Sequence, residues 1–213
     1  MTIAGPVRAA RGRRSARPSG DDREQAILAT AERLLEERPF AEISVDDLAR
    51  GAGLSRPTFY FYFASKDAVL LTLLDRLLAA AVAAHERLAD HTPADRYDGW
   101  RAGINVFFEV FGAHRAITRA AFAARTGIPD AQRMWSGFMR TWIDHAAEVI
   151  ESERAKGAAP VTLPAEDLAT ALLLLNERAM SSSFTADNPS VPEDRVLDTL
   201  VHVWISTIYG EGR

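Results

Sequence analysis

Apolar residues recur at helical spacing through nearly all of the chain after residue 20, and no stretch alternates in the manner of a strand. Ile27, Leu28, Ala31, Leu34 and Leu35 share one face of a first helix. Asp21 is placed to cap that helix, with Glu24 three residues on to complete a capping box. Arg38-Pro39 ends it, because proline disfavours helix in the residue before it. Ser44 caps a second helix, with Asp47 at its third position, and Ile43 is placed to staple onto Leu48. Val45, Leu48 and Ala49 face inward, and Gly51 and Gly53 bracket a turn in which positive φ is expected. Ser55 caps a third helix and carries Pro57 in its first turn, where a missing N–H costs nothing. A fourth, long helix follows Ser65 with Val69, Leu70, Leu73, Leu74, Leu77, Leu78 and Ala81, runs to about Ala89, and is ended by His91-Thr92-Pro93.

Five further helices are expected, over about 96–111, 114–125, 130–156, 165–184 and 192–209, with Gly112 and Gly127-Ile128-Pro129 as breaks. The fold class is therefore all-α: about nine helices, in a three-helix head and a helical bundle body. Three divisions are expected, a flexible basic arm over 1–20, a small helical head over 21–67, and a larger helical body over 68–213.

Charge supports that division. The chain of 213 residues is net −4, yet residues 1–66 hold 11 basic and 9 acidic side chains against 14 and 20 in the remainder. Five arginines (Arg8, Arg11, Arg13, Arg14, Arg17) fall in the first 19 residues with no acid among them. That segment reads either as a solvated tail or as an arm that adds phosphate contacts or enters a minor groove. A small basic head on an acidic body is the charge polarity of a DNA-binding protein. The absence of cysteine excludes disulfides, thiolate catalysis and cysteine-based metal sites. No apolar run follows the first arginines as in a signal peptide, and runs such as Ala171–Leu175 are too short to span a bilayer, so a cytoplasmic location away from membranes is expected.

The second and third helices with their glycine turn have the layout of a helix-turn-helix, whose second helix lies in the major groove. Leu54, Phe59 and Phe63 fall on the side shared with Leu48 and read as core, while Arg56, Thr58, Tyr60 and Tyr62 fall toward the groove. Arginine can fork onto guanine, and threonine and tyrosine can meet thymine methyls or phosphate. Ser44 and Lys66 stand at helix N-termini, where backbone N–H groups favour a phosphate. Successive aromatics from Tyr60 to Phe63 cannot all turn inward on one short helix.

The run Ser44-Val45-Asp46-Asp47-Leu48-Ala49, Ala52-Gly53-Leu54-Ser55, Thr58-Phe59-Tyr60-Phe61-Tyr62-Phe63 and Ser65-Lys66 resembles the signature of the TetR family of transcriptional regulators. The resemblance implies contacts to operator DNA from Ser44, Ser55, Arg56, Thr58, Tyr60, Phe61, Tyr62 and Lys66. It also implies a homodimer that pairs its last two helices with its partner's.

In the body, Trp100, Gly103, Ile104, Phe107, Phe108 and Phe111 form one stripe, and Trp135, Phe138, Met139 and Trp142 another. Such stripes read first as packed core. Facing aromatics pack poorly unless something small fills the gaps, and Gly103 clears space beside Trp100. Asn176 interrupts the apolar run Leu172–Leu175 and needs a partner from the core, a second subunit or a ligand. The segments GRR, ARPSGDDRE, AILATAE, SRPTFYFYF, GINVFFE, NER and RVLDTLVH also resemble a family member that represses a flavin-dependent monooxygenase gene. That likeness implies an aromatic tunnel for extended apolar effectors, lined by Trp100, Gly103, Phe107, Phe111, Trp135, Met139, Trp142, Asn176 and Trp204. His145, Leu173 and Ser181 stand where the same pattern has tyrosine, asparagine and phenylalanine. The last helix is apolar on more than one face (Leu197, Leu200, Val201, Val203, Trp204, Ile205, Ile208), which implies burial against a second subunit.

The expected function is an effector-released transcriptional repressor of a neighbouring flavin monooxygenase-type gene; the alternative is a constitutive or activating regulator without ligand control. An enzyme is disfavoured, because the five histidines form no HExxH or related motif. No cofactor or metal is expected.

Overall fold

A computed structural model describes residues 20–90, 93–185 and 189–210. The expected basic arm, Gly20 apart, and the expected helix stop at His91-Thr92 lie outside the described residues. Among the described residues there are nine α-helices and no strand. They are α1 Gly20–Glu37, α2 Val45–Gly51, α3 Arg56–Tyr62, α4 Lys66–Glu86, α5 Arg96–Ala113, α6 Arg115–Ala124, α7 Pro129–Ala155, α8 Ala165–Thr185 and α9 Glu193–Tyr209. Short 3-10 turns cover Phe40–Glu42 and Arg87–Asp90, so α4 ends three residues before the expected Ala89.

The helix starts follow from local chemistry. Ser44 and Asp47 form the reciprocal capping box on α2: the Asp47 N–H donates to Ser44 Oγ at 3.1 Å and the Ser44 N–H donates to Asp47 Oδ2 at 3.0 Å. Ser55 and Ser65 accept from the backbone N–H groups of Thr58 and Ala68 to cap α3 and α4. Asp21 does not cap α1. It lies inside the first turn, after Gly20, where its charge and that of Asp22 favour the positive helix end.

The two glycines of the turn have different tasks. Gly53 has φ of 69°, as a left-handed turn position requires. Gly51 is the last residue of α2, where a Cβ would stand 2.4 Å from Thr30 Cγ2 on α1. Gly112 likewise does not break α5. It lies within that helix beside the Phe184 ring, which a Cβ would meet at 3.3 Å.

One continuous core runs from Ile27, Leu28 and Leu35 on α1, through Leu48 and Phe59, along α4, to Phe111, Ile117 and Trp135. A second core joins α5, α7, α8 and α9 around Ile150, Val201 and Trp204. Each fully buried Leu or Ile contributes about 1.5–3 kcal/mol relative to exposure. Helices α5 and α7 carry buried residues of both cores, and α4 runs from the first to the edge of the second at Val82. An 18-residue stretch of the 21-residue α4 reaches a mean hydropathy of 1.7, enough by length and composition to cross a membrane, contrary to the expectation that no segment was. Val69, Leu70, Leu73, Leu74, Leu77, Leu78 and Ala81 are instead buried inside the chain, and α4 packs on α1, α5, α6 and α7.

Helix α9 also departs from expectation. Leu200, Val201, Trp204, Ile205 and Ile208 are buried within this chain itself, so its apolar content needs no second subunit. Leu197 and Val203 are only partly buried. The large apolar side chains left exposed nearby are Leu174 (54%) and Leu175 (40%) on α8.

Candidate nucleic-acid interface and ligand cavity

Helix α3 is held from below by Phe59 and Phe63, both buried, with Leu54 and Tyr62 packed in part against the same core. Successive helical residues turn through about 100°. Arg56, Pro57, Tyr60 and Phe61 therefore form the outer face, and all four are exposed. Phe61 is 83% exposed and Tyr60 45%. Thr58 and Tyr62 lie on the flanks and are half-buried, so the grouping of Thr58 and Tyr62 with Arg56 and Tyr60 is corrected: Phe61 shares the outer face, and Tyr62 belongs partly to the core. For Phe61 the signal was its place two residues from both Phe59 and Phe63, which sets it on the opposite side of the helix from them.

Arg56 rests on groups that DNA can replace. Its guanidinium is 3.3 Å from Asp46 and lies 5.8 Å from the Tyr60 ring centre, all at the surface. The Thr58 and Ser55 hydroxyls share a hydrogen bond of 2.8 Å at the N-terminus of α3.

Two expected phosphate contacts are committed elsewhere. The Ser44 hydroxyl donates to Asp47 Oδ2 at 2.6 Å. Hydrogen bonds from Ser44, then the Arg38 guanidinium 3.2 Å away, lower the Asp47 carboxyl to about 2. The N-terminus of α2 thus already holds a carboxylate. Lys66 is more fully engaged. Its ammonium donates to the backbone carbonyls of Phe40 (3.0 Å), Ala41 (3.2 Å) and Ile43 (2.8 Å) and lies 4.6 Å from the Phe40 ring centre. A lysine has three donors, and all are used. A cation in the first helical turn opposes the helix dipole, and the carbonyl end of the 3-10 turn supplies the compensating negative pole. Lys66 ties the entry of α2 to the start of α4 and is not a free phosphate contact in this state.

The nine residues expected around an effector all line one of two adjoining cavities. The larger, about 460 Å³, is bounded by Trp100, Gly103, Phe107, Trp142, Asn176 and Trp204, with His85, His145 and Tyr209. The smaller, about 40 Å³, is bounded by Phe111, Trp135 and Met139, with Phe122, Glu177 and Phe184. Phe107, Trp142, Leu173 and Asn176 belong to both and form the partition. A Cβ at Gly103 would meet nothing within 4 Å, so that glycine borders free volume.

Hydrogen bonds fix the walls. Trp204 Nε1 donates to Asn176 Oδ1 at 2.9 Å, which orients the amide; among the described residues its nitrogen has no partner. Trp100 Nε1 donates to the Tyr209 hydroxyl at 3.0 Å, and Trp135 Nε1 donates to Glu177 at 2.9 Å, itself paired with Arg125. Among the described residues the buried Trp142 Nε1 has no partner. Sequence reasoning missed His85, Tyr209 and Glu177, because each stands on an otherwise ordinary helix and only the packing of α4, α8 and α9 brings it to a cavity. Among the described residues no three His, Asp or Glu side chains converge as a metal site.

A helix-turn-helix with an exposed reading face, set on a helical body, defines a DNA-binding transcriptional regulator and not an enzyme. Residues 27–73 match the family model "Bacterial regulatory proteins, tetR family", and residues 100–210 match "Transcriptional regulator EthR, C-terminal domain". The HTH-type transcriptional regulator EthR of Mycobacterium tuberculosis is 64% identical over 204 residues, which cover 95% of this chain and 94% of that protein. The regulator of that name from Mycolicibacterium smegmatis is 54% identical over 210 residues, covering 99% and 97%. A solved structure of a transcriptional regulator from Saccharomonospora viridis in complex with choline has a TM-score of 0.69 at 21% identity, covering 87% of this chain and 96% of that one. Native NalD of Pseudomonas aeruginosa gives 0.70 at 16%, covering 90% and 98%; at such identities these two show the shared fold alone. The chain belongs to the EthR family of TetR-type regulators.

Proposed function

We propose that this protein is a homodimeric cytoplasmic repressor, released from its operator by a small apolar effector, and that it controls a neighbouring flavin monooxygenase-type gene. Residues 21–67 read the operator, residues 68–213 hold the effector and the partner subunit, and the arginines of the arm add phosphate contacts. Arg56, Thr58, Tyr60, Phe61 and the Ser55 end of α3 meet the groove; Ser44 and Lys66 hold the reading helix in place. Leu174 and Leu175 on α8, with Val203 on α9, form the contact with the second subunit. A symmetric dimer sets two reading helices about 34–36 Å apart, one DNA turn.

The observation that carries the reading is the span of α4. At one end Lys66 grips the entry of α2, and at the other His85 forms a wall of the larger cavity. Twenty-one residues at about 1.5 Å each give a rod of roughly 30 Å between the two sites. An effector that prefers a displaced α4 shifts the head pair away from the DNA-competent spacing; without that preference it shifts nothing. The Asn176 amide nitrogen, oriented by Trp204 and unpartnered, anchors a polar atom of the effector.

The test is a gel shift on DNA upstream of this gene and its neighbours, at several salt concentrations, with and without apolar compounds that quench the four cavity tryptophans. Salt-sensitive binding to a pseudo-palindrome, lost on adding a quenching compound, is expected. Binding indifferent to every quenching compound overturns the effector part, and no binding at low salt overturns the whole. Asn176→Leu should change the effector response and leave unliganded operator affinity nearly intact.

A further inference from the structure

The larger cavity holds an uneven set of polar groups. His85 on α4 and His145 on α7 both line it, with ring centres 5.1 Å apart and edge to face. Both rings lie against the Trp142 indole, His85 at 4.5 Å and His145 at 5.9 Å, and His85 also stacks on Phe107. Among the described residues neither imidazole has a hydrogen-bond partner, and the buried Trp142 N–H beside them has none either. His145 is exposed and His85 half-buried, so the pair marks the mouth, with the aromatic interior behind it.

The other titratable groups of this cavity are committed. Asp95 caps α5 by accepting the Asp98 N–H at 2.9 Å, and Arg96 lies 4.5 Å from the Tyr209 ring centre. Glu153 on α7 is held by Lys156 at 2.9 Å and by the Tyr209 hydroxyl, which donates to it at 3.3 Å. Both local acids are thus engaged, and among the described residues the two imidazoles remain without a hydrogen-bond partner. Each neutral imidazole presents one N–H, and a carboxylate can accept from both. A neutral imidazole takes up a proton readily when an anion is beside it.

We propose that the ligand of this protein is an amphiphilic acid, its carboxylate received by His85 and His145 at the cavity mouth, its apolar tail running past Phe107 toward the smaller chamber. This rests on the reading of the cavity as the effector site and names the chemical class that site takes. Burial, and next the neighbouring His145, hold the His85 imidazole below its usual value, so His85 is neutral near pH 7 in the empty site and binding an acid brings a proton to it. When one proton is taken up, affinity falls by up to about tenfold per pH unit above the imidazole range, and levels off below it.

The experiment uses the full chain in buffer with EDTA and three probes, decanoic acid, methyl decanoate and decyltrimethylammonium, followed by tryptophan quenching from pH 6 to 8 and by calorimetry in buffers of different ionisation enthalpy. The acid is expected to bind at least about tenfold more tightly at pH 6 than at pH 8, with net proton uptake, while the ester shows no such slope. In the variant His85→Gln/His145→Gln the acid loses its slope and its advantage over the ester, which still binds. Equal binding of acid and ester by the native chain at pH 6 overturns the proposal, as does an acid preference that survives in the variant or tighter binding of the ammonium probe. Failure of all three probes, and of other apolar compounds, to quench any tryptophan instead defeats the reading of the cavity as an effector site.

Discussion

Lys66→Met separates a structural lysine from a phosphate contact. The substitution keeps the apolar stem and removes the ammonium that the Phe40, Ala41 and Ile43 carbonyls share. Hydrogen bonds to charged groups contribute roughly 1.5–3 kcal/mol each when desolvated. Lys66 is half-buried and the Ala41 bond is exposed, so water replaces part of that, leaving about 1 kcal/mol per bond. Relief of the unfavourable charge at the α4 N-terminus returns roughly 0.3–1 kcal/mol. The net loss is therefore about 2–3 kcal/mol, which lowers Tm by roughly 4–12 °C in a chain of this size. Thermal unfolding followed by circular dichroism reads that shift. A phosphate contact has a different signature: its loss would reduce the slope of log affinity against log salt by about 0.9 per protomer. The structure predicts weaker operator binding with an unchanged slope, because the reading helix is less well held. An unchanged Tm together with a shallower slope would refute the reasoning.

Phe61→Ala, at a ring 83% exposed, should leave Tm within about 1 °C of the native value and weaken operator binding in a gel shift; unaltered affinity would remove the ring from the interface. Gly51→Ala should destabilise the head by about 1–3 kcal/mol despite the better helix propensity of alanine, because Thr30 cannot yield. Its hydroxyl is held by the Ala26 carbonyl at 2.7 Å and its Cγ2 would be 2.4 Å from the new methyl, so chemical denaturation showing equal or greater stability would contradict this packing. The Asp47 carboxyl should titrate near 2 by carbon-13 NMR and move back toward 3.8 in Ser44→Ala, since Ser44 is the main cause of the depression. As the folded-state value is the lower one, the stability this group adds is complete above about 3.8 and is lost as pH falls toward 2; a native midpoint near 3.8 would count against the capping box.

Much of the architecture was written locally. Ser44, Ser55 and Ser65 cap where a serine before an apolar-periodic run should, and all nine helices stand close to their expected limits. Gly112 was misread for a physical reason: a glycine in a helical pattern signals either a break or a close neighbour, and the neighbour, Phe184, lies 72 positions away. The same holds for Gly51 with Thr30. Helix α9 misled because an apolar surface says that it is covered, not by what, and here its own α5 and α8 cover it.

The site divides along the same line. Periodicity and residue type determined a helix-turn-helix, an aromatic body and the residues that border its cavities, because caps, turns and apolar stripes depend on near neighbours in the chain. Which side chains were spent internally was decided only by tertiary packing. Lys66 finds its three acceptors 23 to 26 residues away, and His85 meets His145 across two helices. A side chain's role depends on whether its donors and charge are satisfied in the folded chain, and that accounting exists only once distant segments are brought together.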